Sequence, residues 1–468
     1  MGLVQGQVAF KDLRIGDYSA LREFQRDQEF FLNSFIPPQS FSLSSLRNNN
    51  NFILIGRKGT GKSSCCLALS VEQEREGYGS TFFNFSDDLS RSDLRDSVRT
   101  QSLKIDGKGI AKLYDSIVEF YDFRDLWKRR VLYSIARYIQ ETDNKNASSE
   151  FVRFVTSVSL AESSISEGVG KELLIPVSDI AKSILQRIQR SAAAEKMPLR
   201  DYVLAALHLL RECHSDLKYF FFFDELNISH TKSGSDEYET LIALVRDIVR
   251  AAADLNDFFV AAKMDIHVVC ALRPEVRYQI IRRDNEISKT IDSNFVNLSW
   301  PSQSRSSNPL IQLLKNKLLY SHIEINDPDD YLPDSVFAVS EKREVPFAIY
   351  FLNITWYRPR DIIRFLKCYQ VTNGDKHILF APNDDQFGFL KEYSRVSRQD
   401  VIAELEVKYS RPIINEVLRR IKTPVFHDKD DMLNYLDVLS NRLDLEELIN
   451  DFFDAGERLK KPAAFGVI

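Results

Sequence analysis

Residues 51–64 read NFILIGRKGTGKSS, and the fold turns on them. Phe52-Ile53-Leu54-Ile55 is a short apolar run of the kind that forms a buried strand. Gly56-Arg57-Lys58-Gly59-Thr60-Gly61-Lys62-Ser63 follows and matches the phosphate-binding loop pattern at each required position. From Ser64 the pattern continues as a helix. Glycines let the backbone curl so that successive N–H groups face a phosphate, and a helix N-terminus adds partial positive charge. Gly56 to Ser64 are therefore the candidate nucleotide-binding residues. Lys62 is expected on the β- and γ-phosphates, and the Ser63 hydroxyl on Mg²⁺. The competing reading is a glycine turn beside an ordinary basic helix start.

A second stretch, KYFFFFDELN over residues 218–227, supports the first. Tyr219 to Phe223 is an uninterrupted aromatic run, the composition of a strand buried on both faces in a parallel sheet. It ends in Asp224-Glu225, and carboxylates at the C-terminal edge of such a strand sit where α/β sheets bind ligands. Asp224 is expected to hold Mg²⁺ and Glu225 to position and polarise an attacking water. Further strands are predicted at Thr81 to Phe85, at Ile266 to Leu272 and at Asn294 to Trp300. The second of these runs into Arg273-Pro274-Glu275, which makes Arg273 a candidate γ-phosphate sensor, with a plain turn arginine as the alternative.

Strands alternating with helical material predict an α/β fold, with five parallel strands covered by helices on both faces. Residues 86–217 are longer than one crossover needs and predict a helical insertion. Within it Trp127, Val131, Ile135, Tyr138 and Ile139 share one helical face, and so do Ile180, Ile184 and Ile188. Residues 141–167, rich in Ser, Asn and acids, read as loop, and Lys128-Arg129-Arg130 as a solvated helix face, with contact to a ligand or a partner as the alternative. Residues 1–50 read as a lead-in with a helix over 18–32. From Pro301 onward the pattern turns helical. In WYRPRDIIRFLKCYQ (356–370), Pro359 fits a first helical position and Ile362, Phe365, Leu366 and Tyr369 a buried stripe. A cation in a helix's first turn is disfavoured unless an anion sits there, so Arg360 is a candidate second sensor; pairing with Asp361 is its alternative. A helix is expected over 401–421, and the apolar end 464–468 reads as the first wing strand of a winged helix or as a shortened chain.

The composition sets outer limits. With 62 basic and 67 acidic residues there is no overall bias toward nucleic acid or anionic membrane. No run is long and apolar enough to span a bilayer, and the first residues lack the features of a secretory signal. Five cysteines without metal-site spacing suit reduced thiols, and together these features predict a cytoplasmic protein.

Taken together, GRKGTGKS, FFFFDELN, CALRPE and YRPRDIIRFL resemble bacterial P-loop ATPases near the STAND, KAP and Orc-type initiator branches of the AAA+ group. The similarity runs from Asn51 to about Gln370, leaving out much of 86–217. It implies an additional-strand (ASCE-type) P-loop core over residues 51–305. It also implies a helical lid over 306–375 and a helical or partial winged-helix region over 376–468. ATP and Mg²⁺ would be the cofactors, Lys62, Glu225, Arg273 and Arg360 the catalytic set, and Ser63 and Asp224 the metal ligands. Such proteins are often nucleotide-controlled switches in stress or antiphage defence, acting as homo-oligomers or through a separate effector protein. The rival readings are a DNA-associated loader or initiator, for which Arg411, Arg419, Arg420 and Lys422 supply local charge, and a non-hydrolysing ATP-bound scaffold. A site completed between subunits would draw an arginine from Arg277, Arg282 or Arg283.

Overall fold

Tyr219 to Phe223, the predicted aromatic strand, are all 0% exposed and lie inside a five-stranded sheet that is parallel throughout. The computed structural model describes residues 8–38, 41–47, 49, 51–85, 123–143, 146–163, 199–228, 236–300, 307–322, 325–338, 343–380, 386–406, 411–412 and 414–415. In chain order these form α1 (Ala20–Arg26), α2 (Gln28–Ser34), β1 (Ile53–Ile55), α3 (Lys62–Glu74), β2 (Gly79–Asn84), α4 (Arg124–Thr142) and α5 (Glu150–Ser163). Then come α6 (Leu199–Cys213), β3 (Lys218–Leu226), α7 (Asp236–Ala261), β4 (Asp265–Leu272), α8 (Pro274–Arg283), α9 (Asn285–Ser293) and β5 (Phe295–Asn297). The remainder is α10 (Pro309–Leu319), β6 (Ser335–Ala338), β7 (Arg343–Pro346), α11 (Phe347–Ile354), α12 (Pro359–Asn373) and α13 (Gln386–Leu405). The chain divides into two compact units, one of Leu43–Gly56 and Leu69–Asn297, the other of Met1–Ser42, Arg57–Ala68 and Leu298–Ile468.

The first unit holds the sheet, in the order β2-β3-β4-β1-β5. Parallel pairing sets Ile55 and Leu226 on either side of Leu272, and Asn84 beside Asp224, so four strands end on one edge. Continuous apolar composition fits burial on both faces, and each buried Phe contributes on the order of 1.5–3 kcal/mol. Phe82 stacks on Phe222 at 4.6 Å, and Trp127 of α4 meets Phe223 edge-on at 5.9 Å. The final strand, β5, is shorter than the predicted Asn294 to Trp300 and lies at the sheet edge.

The predicted α4 stripe is buried at Trp127, Val131, Ile135 and Ile139. The basic triplet on the same helix departs from its expected solvated face. Arg129 is buried with its guanidinium 5.9 Å from the Tyr202 ring, Arg130 lies over Phe83, and Lys128 reaches Asp254 at 2.6 Å. Aliphatic stems and aromatic faces make burial of these cations tolerable. Part of the predicted loop 141–167 is the helix α5, because Phe151, Val152 and Val155 recur at helical spacing and Ser149 Oγ caps Val152 N–H at 3.3 Å. Polar composition masked that spacing. The predicted Ile180, Ile184 and Ile188 stripe lies outside the described residues.

The second unit is mainly helical. Ile362, Phe365, Leu366 and Tyr369 of α12 are each 0% exposed, as its stripe predicts, and pack with Phe351, Phe389 and Tyr393. The predicted helix over 18–32 is two helices, because Asp27 adopts an extended φ of −159° and its carboxylate caps Phe30 N–H at 2.8 Å. The stretch after Pro301 is not wholly helical. An antiparallel hairpin, β6 on β7, pairs Ser335 with Pro346 and Ala338 with Arg343. The helix expected from Val401 begins earlier, as α13, and residues 411, 412, 414 and 415 are helical. Residues 464–468 and Arg419, Arg420 and Lys422 lie outside the described residues.

Candidate functional site: a glycine loop and an acidic strand edge

Gly56 ends the sheet side of the motif, its N–H donating to the Leu272 carbonyl at 3.2 Å. On the same strand edge, Asp224 and Glu225 terminate β3. Asp224 is 9% exposed, and its Oδ1 accepts the Glu225 N–H at 2.7 Å. Glu225 has φ +52°, a left-handed conformation that costs a residue with a side chain about 1–2 kcal/mol. The β3–β4 register shifts between Phe223 and Leu226, so the strain coincides with an irregularity that re-aims the carboxylate pair. Arg273, directly after β4, occupies the N-cap position of α8, and its guanidinium stands 3.9 Å from the Glu275 carboxylate. Gly56, Asp224, Glu225 and Arg273 therefore gather at the carboxyl edge of neighbouring strands, the ligand-binding edge of open α/β sheets.

In the other unit, the loop turns at its glycines. Gly59 and Gly61 have φ +82° and +96°, which only glycine adopts without strain. Thr60 Oγ1 and Lys62 Nζ both donate to the Arg57 carbonyl, at 2.8 and 3.2 Å, so the loop closes on itself. Trp300 Nε1 donates to the Thr60 carbonyl at 2.9 Å. Lys62, Ser63 and Ser64 form the first turn of α3, a helix of 13 residues whose leading N–H groups have no intrahelical acceptors.

Arg360 joins the loop through its backbone. Its N–H donates to the Gly59 carbonyl at 3.3 Å, and a Cβ added at Gly59 would stand 3.0 Å from the Arg360 Cβ. Asp361, the alternative partner for Arg360, accepts from Arg364 Nη1 at 2.6 Å. Lys58 Nζ is held by Asp400 Oδ1 at 2.7 Å. Burial works against the charge on Asp400, but the hydrogen bond from Lys58 and the positive charges of Arg364 and Lys58 prevail and bring its pKa down to about 2. Arg358, Asp400 and Trp300 have no local signal in the sequence, since each acts on the loop from far along the chain, and Arg364 reaches Asp400 as well as its neighbour Asp361.

The three arginines named above as candidates for a site completed between subunits differ in their surroundings. Arg277 pairs with Asp292, with its guanidinium 5.1 Å from the Phe295 ring, and Arg283 grips Glu239 with two nitrogens, at 2.5 and 2.6 Å. Arg282 is exposed and makes no ion pair among the described residues. No group of three or more His, Cys, Asp or Glu residues among those described is arranged to hold a metal by itself. None of the five cysteines is in a disulfide, and no described helix is long and apolar enough to cross a membrane.

In comparisons with known proteins, the chain matched no protein-family model, no curated protein and no solved structure.

Proposed function

We propose that this chain is an ATP-binding, ATP-hydrolysing P-loop ATPase of the additional-strand type, working as a nucleotide-controlled switch. The observation that carries the reading is the loop: left-handed Gly59 and Gly61 lead straight into Lys62 at the start of α3. Two features of the sheet support it. The strand order sets β4 between loop-bearing β1 and acidic-ended β3, and Glu225 sits strained beside buried Asp224. In this reading Gly56 to Ser64 cradle the phosphates, with Lys62 balancing their charge. Ser63 and Asp224 hold Mg²⁺, which would draw electron density from the phosphoryl oxygens. Glu225 orients the attacking water, and Arg273 and Arg360 contact the γ-phosphate. A place in stress or antiphage defence, with homo-oligomers or a separate effector, rests on the motif resemblance. Among the described residues no observation favours the DNA-associated or the non-hydrolysing reading.

The test is steady-state phosphate release from ATP and Mg²⁺ over a range of protein concentrations, with Lys62→Ala as the blank. Turnover above the blank is expected. Equal turnover in wild type and Lys62→Ala, together with equal nucleotide affinity, would sink the assignment.

A further inference from the structure

The motif accounts for the curl of the loop but not for what holds it. Lys58 lies within the motif, yet its ammonium is engaged by Asp400 of α13 at 2.7 Å. The second oxygen of Asp400 accepts from Arg364 of α12, and Arg364 in turn donates to Asp361. From the N-terminal end of α12, Arg358 Nη1 donates to the Lys58 carbonyl at 3.4 Å and Arg360 N–H to the Gly59 carbonyl at 3.3 Å. The Lys58-Gly59 segment is thus tied at three points, two from α12 and one from α13. The tie to α13 is shielded: side-chain exposure is 23% for both Lys58 and Asp400 and 7% for Arg364. Charge-assisted bonds in such a setting outweigh exposed pairs, and using both carboxylate oxygens fixes the geometry of α13 as well as its charge.

We infer that Asp400 is a positioning residue for the phosphate loop: through Lys58 it makes the order of the loop, and with it nucleotide affinity, depend on the docking of α13. The inference rests on the P-loop reading for its nucleotide part and on the contacts alone for its loop-order part. The physical reason is preorganisation. A loop already held in its binding curl does not lose that freedom when phosphates arrive. Arg364 anchors Asp400 so that the carboxylate cannot swing with Lys58 into solvent. Release of α13 would free the ammonium and loosen the peptide that leads into Gly59.

The test uses the full chain in two stages, with Asp400→Asn, Lys58→Ala and the double variant, each first shown to melt cooperatively. Without nucleotide, amide hydrogen exchange of the peptide covering residues 56–63 is expected to speed up about tenfold in either single variant. It should be no faster in the double variant than in Lys58→Ala. Faster exchange confined to α13, or effects of the two substitutions that add, overturns the inference, because Asp400 would then only dock the helix. In the second stage a fluorescent ATP analogue is titrated. Asp400→Asn is expected to raise its Kd about fivefold or more, and an unchanged Kd despite a loosened loop overturns the coupling. Wild-type protein that binds no analogue, while the exchange result stands, would fail the P-loop reading and leave the loop-positioning role of Asp400 in place.

Discussion

Glu225 carries the sharpest single-residue expectations. Its left-handed φ of +52° is a cost that the rest of β3, fully buried from Tyr219 to Phe223, is able to hold in place. Glu225→Gly relieves the torsion and removes the carboxylate at once. Its melting temperature is expected to equal or exceed that of wild type, while phosphate release falls to the Lys62→Ala level. A clear loss of stability would mean that the glutamate side chain is structural. Glu225→Gln keeps the shape and loses the charge, so it is expected to retain ATP and to turn over at least 100-fold more slowly, within the range for a general base. Unchanged turnover there would remove Glu225 from the water-orienting role.

Among the elements, β3 and the α12–α13 pair respond to different stresses. Phe221→Ala opens a cavity at a position with 0% exposure and is expected to cost about 3–5 kcal/mol, read from urea unfolding. The α12–α13 contact is sensitive to acid. Asp400, held at about 2 against an ordinary 3.8, is stabilising while ionised in the folded chain. Its contribution is complete above about pH 4 and is lost as pH falls through about 2. The groups that face it are Lys58 and Arg364, with Asp361 sharing Arg364. Since acid acts on the whole chain, the informative quantity is the difference between wild type and Asp400→Asn. That difference in stability is expected to shrink between pH 4 and pH 2; a constant difference would show that the carboxylate charge does not matter.

At the scale of the whole molecule, the loop segment Arg57–Ala68 belongs to the mainly helical unit, although the chain on either side of it belongs to the sheet unit. If turnover rises more than linearly with protein concentration, the residue to test is Arg282, because Arg277 and Arg283 are committed to Asp292 and Glu239 within the chain. Arg282→Ala is expected to keep nucleotide affinity and to abolish the concentration dependence. Arg283→Ala having that effect instead would reassign the role.

Local chemistry made much of this protein legible from its sequence. Only glycine accepts the torsions found at residues 59 and 61, and an unbroken aromatic run has few places to go but a sheet interior. The stripe of α12 was equally plain, since helical spacing reports a buried face directly. Helix breaks and small strands were harder to read: Asp27 divides α1 from α2 with a cap, and the β6–β7 hairpin carries too few residues to show a period. What the sequence by itself determined was the loop, the strands of the parallel sheet and the residue types at their ends. Tertiary structure alone decided the strand order, the left-handed turn at Glu225 and the choice of Asp400 as the partner of Lys58, because these depend on packing between segments far apart in the chain.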